Sequence, residues 1–342
     1  MKEWLLGKTQ EELTALCIGM GLPRFTGGQI AQWVYKKGIT EIGQMTNLSM
    51  TAREKLGEKY QVGGPEPLTS QLSSDGTRKY LFPSLKAATT GIEAVVIPDD
   101  DRATLCISSQ AGCQMGCQFC MTARMGFRGN LTAGEIAGQF LRVEETGSLT
   151  NVVYMGMGEP FNNWQEVSRS LEIFTSDWGF AWSPRRITVS SVGILPMLDT
   201  FMHTTQAHLA ISLHNPFDAE RILLMPVQKA YPISRVVRQL RQYDFHGQRR
   251  LSFEYIMFDG WNDTQRHAAA LLQLLRGLEC RINLIRFHAI PDFPMKPSPD
   301  PVIEAFKERL NNAGLITTVR ASRGMDILAA CGMLSGKQLN AQ

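Results

Sequence analysis

Apolar and polar positions follow two rhythms along this chain. From about residue 104 onward, short β-rich apolar runs predict strands at Thr104–Ser108, Asn151–Met155, Arg186–Ser190, His208–Leu213, Leu251–Met257, Arg281–Phe287 and Thr317–Ala321. Between them the apolar period lengthens to that of a helix. Thr132, with Glu135 three residues on, makes a capping-box pattern that opens one helix. Further helices are expected over Trp164–Ser176, Ser234–Tyr243, Thr264–Leu275 and Val302–Asn311. In Thr264–Leu275, Ala268, Leu271, Leu272 and Leu275 recur at helical spacing and give one face to bury.

Strands alternating with helices imply βα units and a parallel sheet. A barrel and an open doubly wound sheet both satisfy this pattern. No Gly-x-Gly-x-x-Gly opens the first unit, which argues against a dinucleotide-binding sheet. The residues after the strands say more. Cysteines follow the first, Gly156-Met157-Gly158-Glu159-Pro160 the second, Ser190-Ser191 the third and Ser212-Leu213-His214 the fourth. Chemically able side chains at successive strand ends are what the active face of a βα-barrel requires. The expected class is α/β, a full or partial βα-barrel.

The first 90 residues differ. Helices are predicted over Glu11–Met20, Gln29–Lys36 and Thr51–Lys59, separated by glycine-rich turns. Thr69–Leu72 and Thr77–Phe82 then flank Ser73-Ser74-Asp75-Gly76, the signature of a hairpin with an Asp-Gly turn. Residues 1–90 are therefore expected to form a small accessory domain, helical plus a hairpin and able to meet RNA. Residues 91–342 are expected to form the barrel and its C-terminal segment. Pro291–Pro301 holds five prolines and reads as a rigid surface loop.

Composition narrows the class without choosing a function. The chain has 342 residues, of which 44% are hydrophobic and 20% charged, an ordinary globular balance that excludes disorder and coiled coils. No apolar run approaches the roughly 18 residues of a membrane span. The start, Met1-Lys2-Glu3-Trp4, leads into no apolar stretch with a small-residue cleavage site, so a cytoplasmic location is expected. A net charge of +3 neither demands nor excludes nucleic acid. Seven cysteines, three of them within eight residues, fit a metal or redox site in a reducing compartment rather than a disulfide framework.

Those three, Cys113, Cys117 and Cys120, have the spacing Cys-x3-Cys-x2-Cys within Gly112–Met121. Three thiolates from one tight loop can hold three corners of a 4Fe-4S cluster, whose usual count is four. One iron is then left open to a small molecule. Gly112 and Gly116 suit a loop that must bend around such a cluster. Two blander readings stand beside this one. A structural zinc would need a fourth ligand from Cys106, Cys331 or a histidine, and three plain buried cysteines are also compatible with the residue type.

The loop, set after the first barrel strand, resembles that of the radical S-adenosylmethionine (SAM) enzymes. Leu105–Cys113, Met155–Pro160 and Arg323-Gly324-Met325-Asp326-Ile327-Leu328-Ala329-Ala330-Cys331-Gly332 together resemble the RlmN/Cfr family of RNA adenine methyltransferases. The resemblance runs from the N-terminal helices to Gly332. It implies a 4Fe-4S cluster on Cys113, Cys117 and Cys120, and two SAM molecules per turnover. It implies that Cys331 carries a methyl group as a thioether and that Cys106 resolves a protein–RNA crosslink by forming a disulfide with Cys331. Glu93 would take the ring proton. The SAM contacts would be Gly158, Glu159, Ser190, Ser212, Leu213, His214 and His288, the last standing where many members carry Asn. The implied product is adenosine methylated at carbon 2 in 23S rRNA and in tRNA, with carbon 8 as the rival site within the family and a radical SAM enzyme acting on another substrate as the rival outside it. A flavodoxin-type reductant is the implied electron donor, and no membrane is involved.

Carbon 2 of adenine lies between two ring nitrogens and is too electron-poor to attack a sulfonium methyl, which is why a radical route is needed. Taken singly, Cys331 reads as a small buried residue before a turn and Cys106 as a core strand position. Glu93 taken singly reads as a solvated strand residue. Cys17 and Cys280 match nothing in the pattern and are expected in the core. Of the basic residues, Arg124 and Arg128 lie just past the cluster loop and are the better candidates to meet RNA. Arg235, Arg238 and Arg241, spaced three apart, suit a solvated helix face.

Overall fold

The computed structural model describes residues 2–87 and 90–336. Its centre is one ten-stranded sheet, whose strands are numbered here along the chain. They are β1 (Thr69–Leu72), β2 (Arg78–Phe82), β3 (Ile92–Asp99), β4 (Arg102–Cys106) and β5 (Asn151–Tyr154). They continue as β6 (Ile187–Ser191), β7 (His208–Ser212), β8 (Leu251–Met257), β9 (Arg281–Arg286) and β10 (Thr317–Val319). Spatial order follows chain order throughout. β1 to β4 pair antiparallel and β4 to β10 pair parallel. The described strands pair β10 with β9 alone, so the parallel run stays an open, partial barrel.

The helices are α1 (Gln10–Gly19), α2 (Thr26–Ala31), α3 (Met50–Lys59), α4 (Met121–Arg124), α5 (Ala133–Leu141) and α6 (Trp164–Thr175). They continue with α7 (Leu195–Thr204), α8 (Asp218–Leu224), α9 (Ile233–Leu240), α10 (Gln265–Leu275) and α11 (Asp300–Asn312). The capping box at Thr132 forms as its spacing implies. The Glu135 N–H donates to Thr132 Oγ1 at 3.1 Å, and the Thr132 N–H donates back to the Glu135 carboxylate at 2.8 Å. On α10, Ala268, Leu271 and Leu275 are buried, whereas Leu272 sits partly buried at the rim of the core.

Three departures from the sequence expectation have physical causes. The hairpin β1–β2 is hydrogen-bonded through β3 into the main sheet, so the expected boundary at residue 90 falls inside a continuous run of paired strands. The helix expected over Gln29–Lys36 starts earlier, as α2, and ends in a π-helical turn at Gln32–Lys36. It can start at Thr26 because a Cβ on Gly27 would lie 2.4 Å from Thr14 of α1, an approach open to glycine alone. α7 was not expected, because Pro196 at its start disguised an amphipathic run; proline is tolerated there, where its missing N–H is not needed.

The N-terminal helices enclose their own small core around Leu13, Cys17, Ile30, Val34 and Leu56, which closes against Ala133 and Ala137 of α5. Arg169 on α6 pairs with Glu12 on α1 at 2.9 Å. The accessory region is thereby seated on the outer helices, on the far side of the sheet's first parallel strands.

Candidate active site

The cysteine loop begins where Gln110–Ala111 pairs with Gly129–Asn130. Gly112 (φ +75°) makes the first bend; a Cβ there would lie 1.8 Å from the Gly126 carbonyl oxygen, so no other residue fits. Gly116 (φ +69°) makes the second. Cys113 and Cys117 come out buried and Cys120, at the start of α4, half-buried. All three line one cavity of about 680 Å³.

Burial pushes the Cys113 thiol up to about 12. Burial also raises Cys117 and Cys120, and the three thiols repel one another's ionised forms. Such a donor set is poor as thiolates until a cation arrives, which fits a resident metal group. Among the described residues, no three His, Cys, Asp or Glu side chains converge closely enough to ligate one ion. A zinc would draw its sulfurs to roughly 3.8 Å of one another, given Zn–S bonds near 2.3 Å. Sulfurs facing a shared volume suit a cluster, in which each thiolate binds its own iron.

The strand ends supply the opposite wall. Glu159 is buried, and burial raises its carboxyl to about 7. Its two oxygens accept the N–H groups of Phe161 at 3.0 Å and Val192 at 2.9 Å. Gly158 (φ +99°) is fixed by packing, since a Cβ there would lie 2.5 Å from the Gln110 side chain. Ser190, Ser212, His214 and His288 all line the cavity. His214 is locked: its Nδ1 accepts the Ile256 N–H at 3.1 Å and its ring meets Phe119 edge to face at 4.9 Å. Burial lowers it to about 3, so it stays neutral. Leu213 is the exception, because its side chain is fully buried in the core and it does not line the cavity.

Cys106 and Cys331 reach the same cavity from β4 and from the C-terminal segment. Both are free thiols in this structure; Cys106 is buried and Cys331 exposed, against the single-residue reading that would bury it. Burial is the main reason Cys106 rises to about 12, with Cys331 adding to the rise and Arg320 opposing it. The segment bearing Cys331 is a strap pinned at both ends. Asp326 accepts from the Ser73 hydroxyl at 2.6 Å and the Ser74 N–H at 3.1 Å, while Asp75 accepts the Gly324 N–H at 2.8 Å. At the other end the Met121 N–H donates to the Gly332 carbonyl at 2.8 Å, and the Thr122 hydroxyl to the Leu334 carbonyl at 2.7 Å.

Glu93 is not the solvated residue its position suggests. It is 2% exposed. One oxygen pairs with Lys79 at 3.1 Å and the other accepts the N–H groups of Ser335 at 2.7 Å and Gly336 at 3.0 Å. It lies behind the strap and outside the cavity lining. Arg124 is likewise committed: its guanidinium donates to the Pro291 and Asp292 carbonyls and lies over Phe293. Arg128 and the neighbouring Phe127 remain exposed. Arg235 and Arg238 project from the outer face of α9 as expected, and Arg241 bonds to the carbonyls of Leu274 and Arg276. Cys17 is in the accessory core, while Cys280 is only half-buried, at the mouth of β9.

Sequence reasoning passed over one lining residue and read a second, Arg320, only as one of the basic residues that could meet RNA phosphates. Glu254 on β8 is buried, with one oxygen accepting from Asn283 at 2.8 Å. Arg320 lies 3.8 Å from its other oxygen and close to both Cys331 and Cys106. A glutamate inside an otherwise apolar strand was the available signal for the first. Nothing local marked the second.

The model of the ribosomal RNA large subunit methyltransferase N-terminal domain matches residues 4–62, and that of the radical SAM superfamily matches residues 107–272. The chain is 53% identical over 331 residues to the "Probable dual-specificity RNA methyltransferase RlmN" of Porphyromonas gingivalis, covering 97% of this chain and 96% of that one. It is 43% identical over 333 residues to the "Dual-specificity RNA methyltransferase RlmN" of Syntrophus aciditrophicus, covering 96% and 95%. The crystal structure of a radical SAM methyltransferase from Sphaerobacter thermophilus superposes with a TM-score of 0.91 at 38% identity, over 98% of this chain and 99% of that one.

Proposed function

The chain belongs to the RlmN family of radical SAM RNA methyltransferases, and on that premise we propose that it methylates carbon 2 of adenosine in 23S rRNA and in tRNA. The observation that carries this reading is the meeting of Cys331 and Cys106 with Cys113, Cys117 and Cys120 around one cavity. The family implies a 4Fe-4S cluster and SAM; Cys113, Cys117 and Cys120 would hold the cluster. When bound, the cluster supplies the electron that cleaves SAM reductively to an adenosyl radical.

The remaining work falls to this chain's residues. Cys331 takes a methyl group onto sulfur from one SAM, and the second SAM of the turnover is the radical source. After loss of one hydrogen atom to the adenosyl radical, the carbon on Cys331 bonds to carbon 2 and tethers the base to the strap, and the adduct gives up one electron and the ring proton. Cys106 then attacks the Cys331 sulfur and forms the disulfide, the freed carbon takes up a proton to become the methyl group of the released base, and an external reductant restores both thiols. Attack requires the Cys106 thiolate, which burial opposes and Arg320 favours. Glu93 is the base for the ring proton. In this structure its carboxylate is occupied by Lys79 and by the N–H groups of Ser335 and Gly336, so the end of the strap has to yield when RNA enters. Gly158, Glu159, Ser190, Ser212, His214 and His288 line the wall that would receive SAM, whereas Leu213 lies outside that lining, its N–H taken by the Glu254 carbonyl and its own carbonyl by Arg221. Work in the cytoplasm with a flavodoxin-type donor completes the reading.

The test is anaerobic reconstitution with iron, sulfide, SAM, a reductant and rRNA or tRNA fragments, followed by mass spectrometry of the nucleosides. The expected product is 2-methyladenosine. Methylation at carbon 8 would move the protein to the other branch of the family. Cys106→Ala is expected to accumulate protein–RNA crosslink, whereas a Cys331→Ala protein that still methylates would overturn the mechanism.

A further inference from the structure

Arg221, on α8, is completely buried. Its Nε donates to the Leu213 carbonyl at 2.9 Å, its Nη2 to the carbonyls of Ser212 at 2.7 Å and Val192 at 3.1 Å, and its Nη1 to Gln228 Oε1. None of these acceptors carries a charge. The carboxylate that acts on it, Asp218, is exposed and reaches it only through Gln228, whose Nε2 donates to Asp218 Oδ1. Burial lowers Arg221 only to about 10, so the guanidinium is charged at neutral pH. Burying an ion without a counter-ion costs several kcal/mol in real proteins. A fold that keeps such a cation has a use for its charge.

The surroundings identify that use. Val192 and Ser212, whose carbonyls hold the guanidinium, line the same cavity as the cysteine loop. The loop itself rests on α8, with the Gln118 N–H donating to the Leu224 carbonyl at 2.9 Å. Met225, whose N–H donates to the Arg221 carbonyl at 2.8 Å, lines the same cavity as Cys117. The charge is felt at Cys117, where it opposes the rise that burial imposes on the thiol.

We propose that Arg221 is the buried counter-charge of the cluster bound by Cys113, Cys117 and Cys120, a positioning residue that raises the cluster's reduction potential and braces the Val192 and Ser212 strand ends. The inference rests on reading the cysteine loop as a cluster site. Reduction adds a negative charge to the cluster, and a fixed cation nearby favours the reduced form; net charge and hydrogen bonding are among the levers that set such potentials. Four donated bonds fix where the cation sits, which a flexible lysine would not do.

The test is a potentiometric titration, followed by electron paramagnetic resonance, of the reconstituted full chain. Arg221→Met is expected to lower the reduced-to-oxidised ratio at a fixed potential about tenfold, a shift of about 59 mV for one electron, and Arg221→Lys to restore most of it. A second variant keeps the guanidinium and its backbone bonds. Asp218→Asn with Gln228→Glu moves one negative charge from the surface to Nη1, and it too is expected to lower the potential. Should Arg221→Met fail to fold, this double variant decides. A midpoint unchanged from wild type in any folded, cluster-loaded member of the set other than Arg221→Lys overturns the proposal. A wild-type protein that binds no cluster overturns the functional reading instead.

Discussion

The loop of Cys113, Cys117 and Cys120 and the strap of Cys331 bring their sulfurs to one cavity by opposite means. The loop is shaped from within. Gly112 and Gly116 take left-handed backbone angles, and Gly112 has a neighbouring carbonyl where a Cβ would be. The strap is shaped from outside, by Asp75, Ser73 and Ser74 of the hairpin at one end and by Glu93, Met121 and Thr122 at the other. A group that must stay put is thus built on a locally determined backbone. A group proposed to carry carbon to a base and release it is held by contacts that can be exchanged.

The strongest way to break the comparison is at the loop. Gly112→Ala should abolish cluster incorporation, seen as loss of the visible absorption after reconstitution. The forced left-handed φ and the clash with Gly126 together cost about 3 kcal/mol or more in local distortion. A cluster-loaded Gly112→Ala protein with normal activity would show that the loop is not locally dictated.

The strap should respond more gently. Asp326→Ala removes two hydrogen bonds 252 or more residues apart in sequence and is expected to slow RNA methylation about tenfold. Reductive cleavage of SAM without RNA should continue at the wild-type rate, because the loop is untouched. Equal losses in both assays would mean that the strap supports the cluster as well. The hydrogen bonds hold the Asp75 and Asp326 carboxyls below the usual carboxylate range. Their contribution is therefore present above that range and is lost only as pH falls through the depressed values, so the strap should remain docked in mild acid.

Glu159 belongs to the wall between the two regions and has the opposite sign. Its carboxyl is raised to about 7 by burial, so its contribution to folding is complete below the unfolded value near 4.5 and declines as pH rises through 7. Thermal melts of the cluster-free protein between pH 4.5 and 7.5 should show that decline, of about 3 kcal/mol at most. Glu159→Gln should flatten it. The smallest effect is expected at Thr132→Ala, which loses a cap that serves neither region. It should cost about 1 kcal/mol of stability and leave both assays alone.

The two regions differ equally in how legible they were. Cys-x3-Cys-x2-Cys with its glycines declared the loop, and the residues after β5, β6 and β7 declared one wall of the cavity, because a parallel strand always delivers the residue at its end to the same face. Leu213 faces the core instead of the cavity, since adjacent strand-end residues point to opposite sides of the sheet. The hairpin was found with its turn at Ser73–Gly76, but its membership of the main sheet was not, because pairing partners are not written in the pattern of a strand. Glu93 read as solvated for the same reason.

By itself the sequence determined the order of strands, the caps, the spacing of the three loop cysteines and the family, all of which depend on spacings of a few residues that backbone geometry enforces. Tertiary structure alone decided which charges are buried and what compensates them. Glu93 meets the Ser335 N–H 242 residues away, and Arg221 bonds to the ends of two different strands. Burying a charged group is tolerable only when specific partners surround it, and those partners are assembled by the sheet, across distances no local rule can span.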